Sequence, residues 1–99
     1  MRTVRNASIS LSATTSTVIS EEKMAGKRVV LEISSMEAVG GNDVFVSVGE
    51  EAGASKGRRI QPGQTITWST DGGYIPPQLR VNAYSAGTPT LTIYEEIEG

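Results

Sequence analysis

The sequence contains no cysteine and no histidine among its 99 residues. The missing cysteine excludes disulfide bridges, thiolate metal sites and cysteine nucleophiles. The missing histidine removes the commonest general base and the commonest transition-metal ligand of proteins. The remaining residues offer no credible pair of base and nucleophile for a hydrolase. We therefore predict that the chain is not an enzyme, with no catalytic residue, no cofactor and no metal site.

A large net charge and long apolar runs are also absent. Nine Lys and Arg residues against 11 Asp and Glu residues give a formal net charge of -2, which argues against a protein that neutralises nucleic-acid phosphates. No stretch approaches the roughly 20 apolar residues of a membrane span, and residues 1–20 lack the apolar run of a secretory signal. We expect a soluble protein that binds neither nucleic acid nor membrane.

The apolar residues that are present alternate with polar ones at a spacing of two, which is typical of half-buried strands. Val29, Leu31 and Ile33 form one inward row, and 44–48 repeats the pattern after a Gly-Gly-Asn-Asp turn. We predict one all-β domain over 1–99, a small antiparallel β-sandwich or jelly-roll-like barrel of about six to eight strands. We also predict that the strand containing Val29, Leu31 and Ile33 forms a hairpin with the strand 44–48.

Residues 1–20 differ from the rest because they are rich in Ser and Thr and hold few large apolar side chains. They suggest one or two weak strands, and we treat them as a candidate amino-terminal arm that reaches a neighbouring subunit. A segment that buries little apolar surface cannot offset the entropy cost of ordering its backbone. Deleting 1–12 should then leave the thermal midpoint of the subunit nearly unchanged.

Most polar clusters favour ordinary structural roles. The glycine-rich stretch 49–57 is not a phosphate-binding loop, because Ala54 stands where a second Gly is needed and no helix follows. Asp43 and Asp71 lie in turn sequences, where short polar side chains bond their own backbone. Adjacent strand residues point to opposite faces, so the pair Glu95-Glu96 cannot converge on one substrate and is expected to be a solvated surface pair.

Aromatic and basic residues supply the candidates for partner binding. The phase of its strand places Trp68, the single tryptophan, inward beside Ile66. Tyrosines on the outward face of a sheet suit a protein contact, and the amino-terminal arginines are opposite in sign to the acidic carboxyl end. Subunits could therefore pair charge to charge in a homo-oligomer. The predicted partner-binding residues are Arg2, Arg5, Tyr84 and Tyr94.

Four stretches together resemble small structural proteins of tailed-bacteriophage virions. They are 42–49 (NDVFVSVG), 60–68 (IQPGQTITW), 81–87 (VNAYSAG) and 91–95 (LTIYE), and the resemblance covers roughly 27–95. It rests on a pattern of strands and turns and not on a catalytic signature. The resemblance implies a capsid decoration or cement subunit that binds the head surface and stabilises it. Its implied partner is the major capsid protein or another virion protein, and its implied location is the virion, assembled in the host cytoplasm.

Two other readings remain open from the residues. Trp68 and the tyrosines, including Tyr74, also suit a carbohydrate- or receptor-binding β-sandwich module of a phage tail or spike. Binding on a glycan array would favour that module. A hydrolase is the third reading, and it has no credible base and nucleophile.

Overall fold

The structure, a computed structural model, describes residues 2–22, 27–69 and 79–99. Its eight strands form two antiparallel sheets of four strands each, ordered β1-β8-β3-β6 and β2-β7-β4-β5. The strands are β1 Arg2–Ser10, β2 Thr17–Ser20, β3 Lys27–Ser35, β4 Val44–Val48, β5 Arg58–Ile60, β6 Thr65–Ser69, β7 Val81–Ser85 and β8 Thr90–Glu98. The described part of the chain contains no helix long and apolar enough to cross a membrane. The prediction of a small all-β sandwich is confirmed.

The core lies between the two sheets and is built from the inward rows of the alternating strands. Val29, Leu31 and Ile33 are buried as the alternation predicts. The buried cluster comprises Leu11, Ile19, Leu31, Ile33, Val44, Val46, Ile60, Trp68, Val81, Ala83, Leu91 and Ile93. Leu79, which the same alternation would place inward, is instead 48% exposed, because β7 begins only at Val81.

The predicted hairpin between the first two strong strands is wrong. β3 pairs with β6 and β8, whereas β4 pairs with β5 and β7, so the two strands lie in different sheets. The connection over 36–43 carries the chain from one sheet to the other, a crossing of roughly 10 Å in a sandwich. Alternation fixes which side of a strand faces the core, but it does not fix which strand lies beside it.

Residues 2–10 and 17–20 are strands of the sandwich, and the segment does not project from it as an arm. All nine residues of β1 pair with β8 in one unbroken register, and β2 pairs with β7. Leu11 and Ile19 are buried, and Ala7 and Ile9 pack against the core. Ala7, Ile9, Leu11 and Ile19 therefore fall on the inner side, whereas Val4 and Val18 are exposed.

The turn before β6 has the conformation that its residues favour. The Gln64 N–H donates to the Gln61 carbonyl at 3.0 Å, and Gly63 has a φ of +77°, as a type II turn with Pro62 and Gly63 at its two central positions requires. The predictions for Asp71 and Tyr74 fall on 70–78, outside the described residues.

Candidate functional site

The outer face of the β1-β8-β3-β6 sheet is the principal candidate site. Two rows of side chains cross all four strands because the strand registers align their outward residues. We call this surface the polar face; its residues are Asn6, Tyr94, Glu32 and Thr67 in one row, and Ser8, Thr92, Ser34 and Thr65 in the next. All eight are exposed or half-buried. Their amide, hydroxyl and carboxylate groups can both donate and accept hydrogen bonds.

A shallow groove runs along this face beside Tyr94. It is lined by Asn6, Ala7, Ser8, Glu32, Thr92, Ile93 and Tyr94. The half-buried tyrosine ring supplies apolar contact area, and the flanking polar groups can fix the orientation of a bound molecule. The arrangement is suited to binding a polar surface or a small polar ligand. None of its lining groups forms a nucleophile activated by a base.

A network of charges holds Tyr94 in place. Its hydroxyl donates to Glu96 at 2.6 Å, and the Arg2 guanidinium lies 3.1 Å from the same carboxylate and 3.2 Å from Glu98. The hydrogen bond to Glu96 raises the pKa of the Tyr94 phenol above its ordinary value, with a smaller contribution from desolvation. The hydrogen bond to Glu98 is the main cause that raises the pKa of Arg2.

The structure brings together two of the four predicted partner-binding residues. Arg2 and Tyr94 both contact Glu96 on the outer side of the sheet. Arg5 instead turns inward, where its guanidinium lies 3.2 Å from Glu95 and donates to the Ile19 carbonyl. Tyr84 is half-buried on the other sheet, opposite Phe45.

The opposite charges expected to pair between subunits pair within one chain. The antiparallel register sets Arg2 beside Glu98 and Arg5 beside Glu95. The arginines near the start of β1 therefore neutralise the carboxylates near the end of β8. This part of the predicted charge-to-charge contact is an internal feature of the fold.

Sequence reasoning missed a buried charged cluster at this end of the sandwich. Glu95, expected to be solvated, is fully buried, and its carboxylate lies 2.7 Å from Nε of Arg28, which is also fully buried. Ser20 donates to the same carboxylate, and Arg28 donates to the carbonyls of Glu21 and Leu79. The sequence does indicate the burial of Glu95, because the alternation that turns Leu91 and Ile93 inward also turns Glu95 inward. The cluster serves the fold, since solvent does not reach it.

Trp68 and Asp43 have structural roles. Trp68 is 7% exposed and belongs to the core, as predicted, with the Arg58 guanidinium carbon 5.6 Å from its ring centroid. Asp43 lies 3.2 Å from Arg59 in an ion pair. Across 2–22, 27–69 and 79–99 there is no group of three or more acidic, His or Cys side chains placed to hold a metal ion.

The loop 49–57 joins β4 to β5 and packs partly against the domain. Ala52 is buried, and its N–H donates to the Ser16 hydroxyl at 2.9 Å. The same hydroxyl accepts from Asn82 on β7, so the loop is anchored over the outer side of the second sheet. The polar face is therefore the more open of the two sheet surfaces among the described residues. No protein family matches the chain, and no curated protein matches its sequence.

Proposed function

We propose that this chain is a virion structural protein, a subunit that decorates or cements the head of a tailed bacteriophage by binding the capsid surface. The observation that carries the proposal is the polar face, a broad and open sheet surface with Tyr94 near its centre. The resemblance of 27–95 to phage structural proteins supplies the identity of the partner. The major capsid protein or another virion protein is the expected partner.

The physical properties of the polar face suit binding to another protein. Its side chains stand on paired strands, so little backbone entropy is lost on association. Tyrosine is enriched in interfaces because one rigid side chain offers both apolar area and a hydroxyl. Glu32 adds negative charge to this side of the sheet, whereas Glu96 is paired with Arg2. The complementary patch on a capsid subunit would then carry hydrogen-bond donors and basic side chains.

The test is performed on virions of the phage that encodes the chain. Mass spectrometry of purified particles should detect the protein in many copies per head. Heads stripped of it should rebind the recombinant chain during co-sedimentation and should then withstand heating better. Absence of the chain from purified virions, or no rebinding to stripped heads, would contradict the proposal.

A matched pair of tyrosine variants locates the binding surface. Tyr94→Ala removes the central side chain of the polar face, whereas Tyr84→Ala removes a half-buried tyrosine from the other sheet. We expect Tyr94→Ala to weaken head binding at least tenfold and Tyr84→Ala to leave it nearly unchanged. Equal binding by both variants would show that the interface lies outside the polar face.

A carbohydrate- or receptor-binding module of a tail or spike is the second candidate. The groove favours it, because the Tyr94 ring lies beside the amide of Asn6 and the carboxylate of Glu32, and such combinations bind sugars by stacking and hydrogen bonds. Trp68 no longer supports this candidate, since it is buried. Glycan-array binding that is lost in Tyr94→Ala, without binding to heads, would favour this second function.

A further inference from the structure

The strand β1 forms a long open edge of the sandwich. Within the part of the chain that the structure describes, it pairs with β8 on one side only, over nine residues and without a bulge. The other edge strands that the structure describes are shorter, with four residues in β2, three in β5 and five in β6. An unprotected edge strand presents a row of unpaired N–H and C=O groups and is a template for pairing with another chain.

Two backbone hydrogen bonds that extend the β1–β8 and β3–β8 pairings show which backbone groups of β1 face the open side. The Leu11 N–H donates to the Pro89 carbonyl at 2.9 Å, and on the other side of β8 the Met36 N–H donates to the Thr90 carbonyl. Inward and outward bonding alternate along an antiparallel strand. The odd-numbered residues of β1 therefore bond to β8. The N–H and C=O groups of its even-numbered residues, all exposed, point to the open edge: Arg2, Val4, Asn6, Ser8 and Ser10.

We propose that a second copy of this chain pairs with this edge. The two β1 strands run antiparallel, and the two-fold axis passes between Asn6 of one copy and Asn6 of the other. This register places Asn6 opposite Asn6 of the second copy, Val4 opposite Ser8, and Arg2 opposite Ser10. It uses the whole strand, because 2–10 is symmetric about position 6. Only the free even-numbered groups meet, which gives about ten backbone hydrogen bonds between the copies.

The charges and apolar contacts of β1 agree with this register. Arg2 and Arg5 are already paired with carboxylates of their own β8, and in the dimer they lie opposite neutral residues. No like charges stand directly across the new junction, where they would be unfavourable. Val4, which is 52% exposed in the single chain, gains neighbours from the second copy. The two polar faces join into the surface of one eight-stranded sheet.

This inference goes beyond the proposed function and does not rest on it, because a dimer could form whether or not the chain binds a capsid. Light scattering of the untagged chain should give twice the 10.5 kDa chain mass at concentrations above the dissociation constant. A monomer at every concentration up to the solubility limit would overturn the proposal.

Cysteine crosslinking tests the register, and the native chain is a clean background because it has no cysteine. Residues in a hydrogen-bonded antiparallel pair have Cα atoms about 5.5 Å apart, within the range that a disulfide spans. Asn6→Cys should therefore give a covalent dimer under mild oxidation. Val4→Cys alone should not, since the two introduced thiols would be about 14 Å apart along the strand.

A double variant sharpens this test. Combining Val4→Cys with Ser8→Cys should restore the crosslink, because each introduced thiol then faces its counterpart in the second copy. Crosslinking of Val4→Cys alone as efficient as that of Asn6→Cys would contradict the register. Failure of both Asn6→Cys and the double variant to crosslink would overturn the β1 junction.

Backbone substitution tests the hydrogen bonds themselves. Asn6→Pro removes an N–H that faces the open edge, a position where an edge strand tolerates proline, whereas Asn6→Thr keeps the N–H. We expect Asn6→Pro to be monomeric at concentrations where Asn6→Thr and the native chain are dimeric, with an unchanged circular dichroism spectrum. A folded dimeric Asn6→Pro variant would contradict the proposal. If Asn6→Pro does not fold, the crosslinking result decides.

Discussion

Arg28 and Glu95 form an ion pair in which both side chains are fully buried, with 2.7 Å between Arg28 Nε and Glu95 Oε2. The pair joins β3 to β8 within one sheet. Through Ser20 on β2 the same guanidinium also reaches the other sheet, and it donates to the Leu79 carbonyl ahead of β7. Hydrogen bonds to the charged groups offset part of the large cost of removing them from water. This end of the sandwich therefore depends on a complete network and not on apolar packing alone.

The losses from removing each member of the pair should not add. Arg28→Met leaves the Glu95 carboxylate buried with only part of its network, so we expect a loss of about 3 to 5 kcal/mol in the free energy of unfolding. The double variant Arg28→Met with Glu95→Leu should lose clearly less than the sum of the two single losses. Urea unfolding measures all three. Additive losses would show that the two side chains are not coupled.

Two glycines with nearly the same backbone conformation should differ in their tolerance of alanine. Gly57 and Gly63 have φ values of +79° and +77°, but a Cβ on Gly57 would fall on the Val46 carbonyl, whereas Gly63 has open space around it. Gly63→Ala should cost about 1 kcal/mol from the left-handed conformation alone. Gly57→Ala should cost about 3 kcal/mol or more, because β5 must move away from β4. Equal losses in thermal or urea unfolding would contradict the steric argument.

Trp68 gives a direct probe of the core. Trp68→Ala should lower the free energy of unfolding by about 3 to 5 kcal/mol, as truncation of a large buried aromatic does. Its native fluorescence should be blue-shifted, and it is the only tryptophan in the chain. Arg58→Leu is the control for the guanidinium above the ring and should cost no more than about 1 kcal/mol. Native emission like that of free tryptophan would place the side chain in solvent.

The Tyr94–Glu96 hydrogen bond should be visible at alkaline pH. Because the fold raises the pKa of the Tyr94 phenol, its contribution to stability is complete below the unfolded-state pKa and is lost as the pH rises through the folded-state pKa. In a spectrophotometric titration of the folded protein, one tyrosine should ionise later than an unperturbed phenol. Glu96→Gln should bring that ionisation back toward the ordinary value. Loss of the late ionisation in Tyr94→Phe identifies the residue, and an identical curve for Glu96→Gln would contradict the assignment.

The composition of residues 1–12 suggests that their deletion leaves the thermal midpoint unchanged, but the structure predicts a large decrease. The deletion removes all of β1 and the buried Leu11, so the truncated chain should unfold at a much lower temperature than the intact one. Arg2→Ala is the control, because its ion pairs are exposed and it should change the midpoint little. A truncated chain with the native midpoint would restore the view of this segment as an independent arm.

The sequence predicted the fold class and the facing of most strands, because burial of one face imposes alternation on each strand by itself. Val29, Leu31 and Ile33 show this. Strand partners were not predictable in the same way, since β3 has the same alternation whether it lies beside β4 or beside β8. The face of Tyr94 could be predicted, but its contact with Glu96 depends on side-chain direction within one strand, which alternation does not determine.

The two departures from expectation have a common physical cause, because the position of a residue along its strand outweighs its polarity. Glu95 is charged, yet it continues the inward row of Leu91 and Ile93 and is buried. Residues 1–20 have the Ser- and Thr-rich composition of an arm, although Ala7 and Ile9 of β1 fall on the side that faces the core. In both places, the position along the strand decided the environment.

The pairing of Arg2 with Glu98 brings the start of β1 and the end of β8 to one corner of the sandwich. A peptide attached before residue 2 and another attached after residue 98 would leave the domain side by side and would compete for the same space. The opposite end, where Ser10 lies beside Thr90, would stay clear of both. A short linker between residues 98 and 2 would close the backbone of the domain into a ring. The connection over 36–43, which crosses between the sheets, is then a natural place to open a circularly permuted chain.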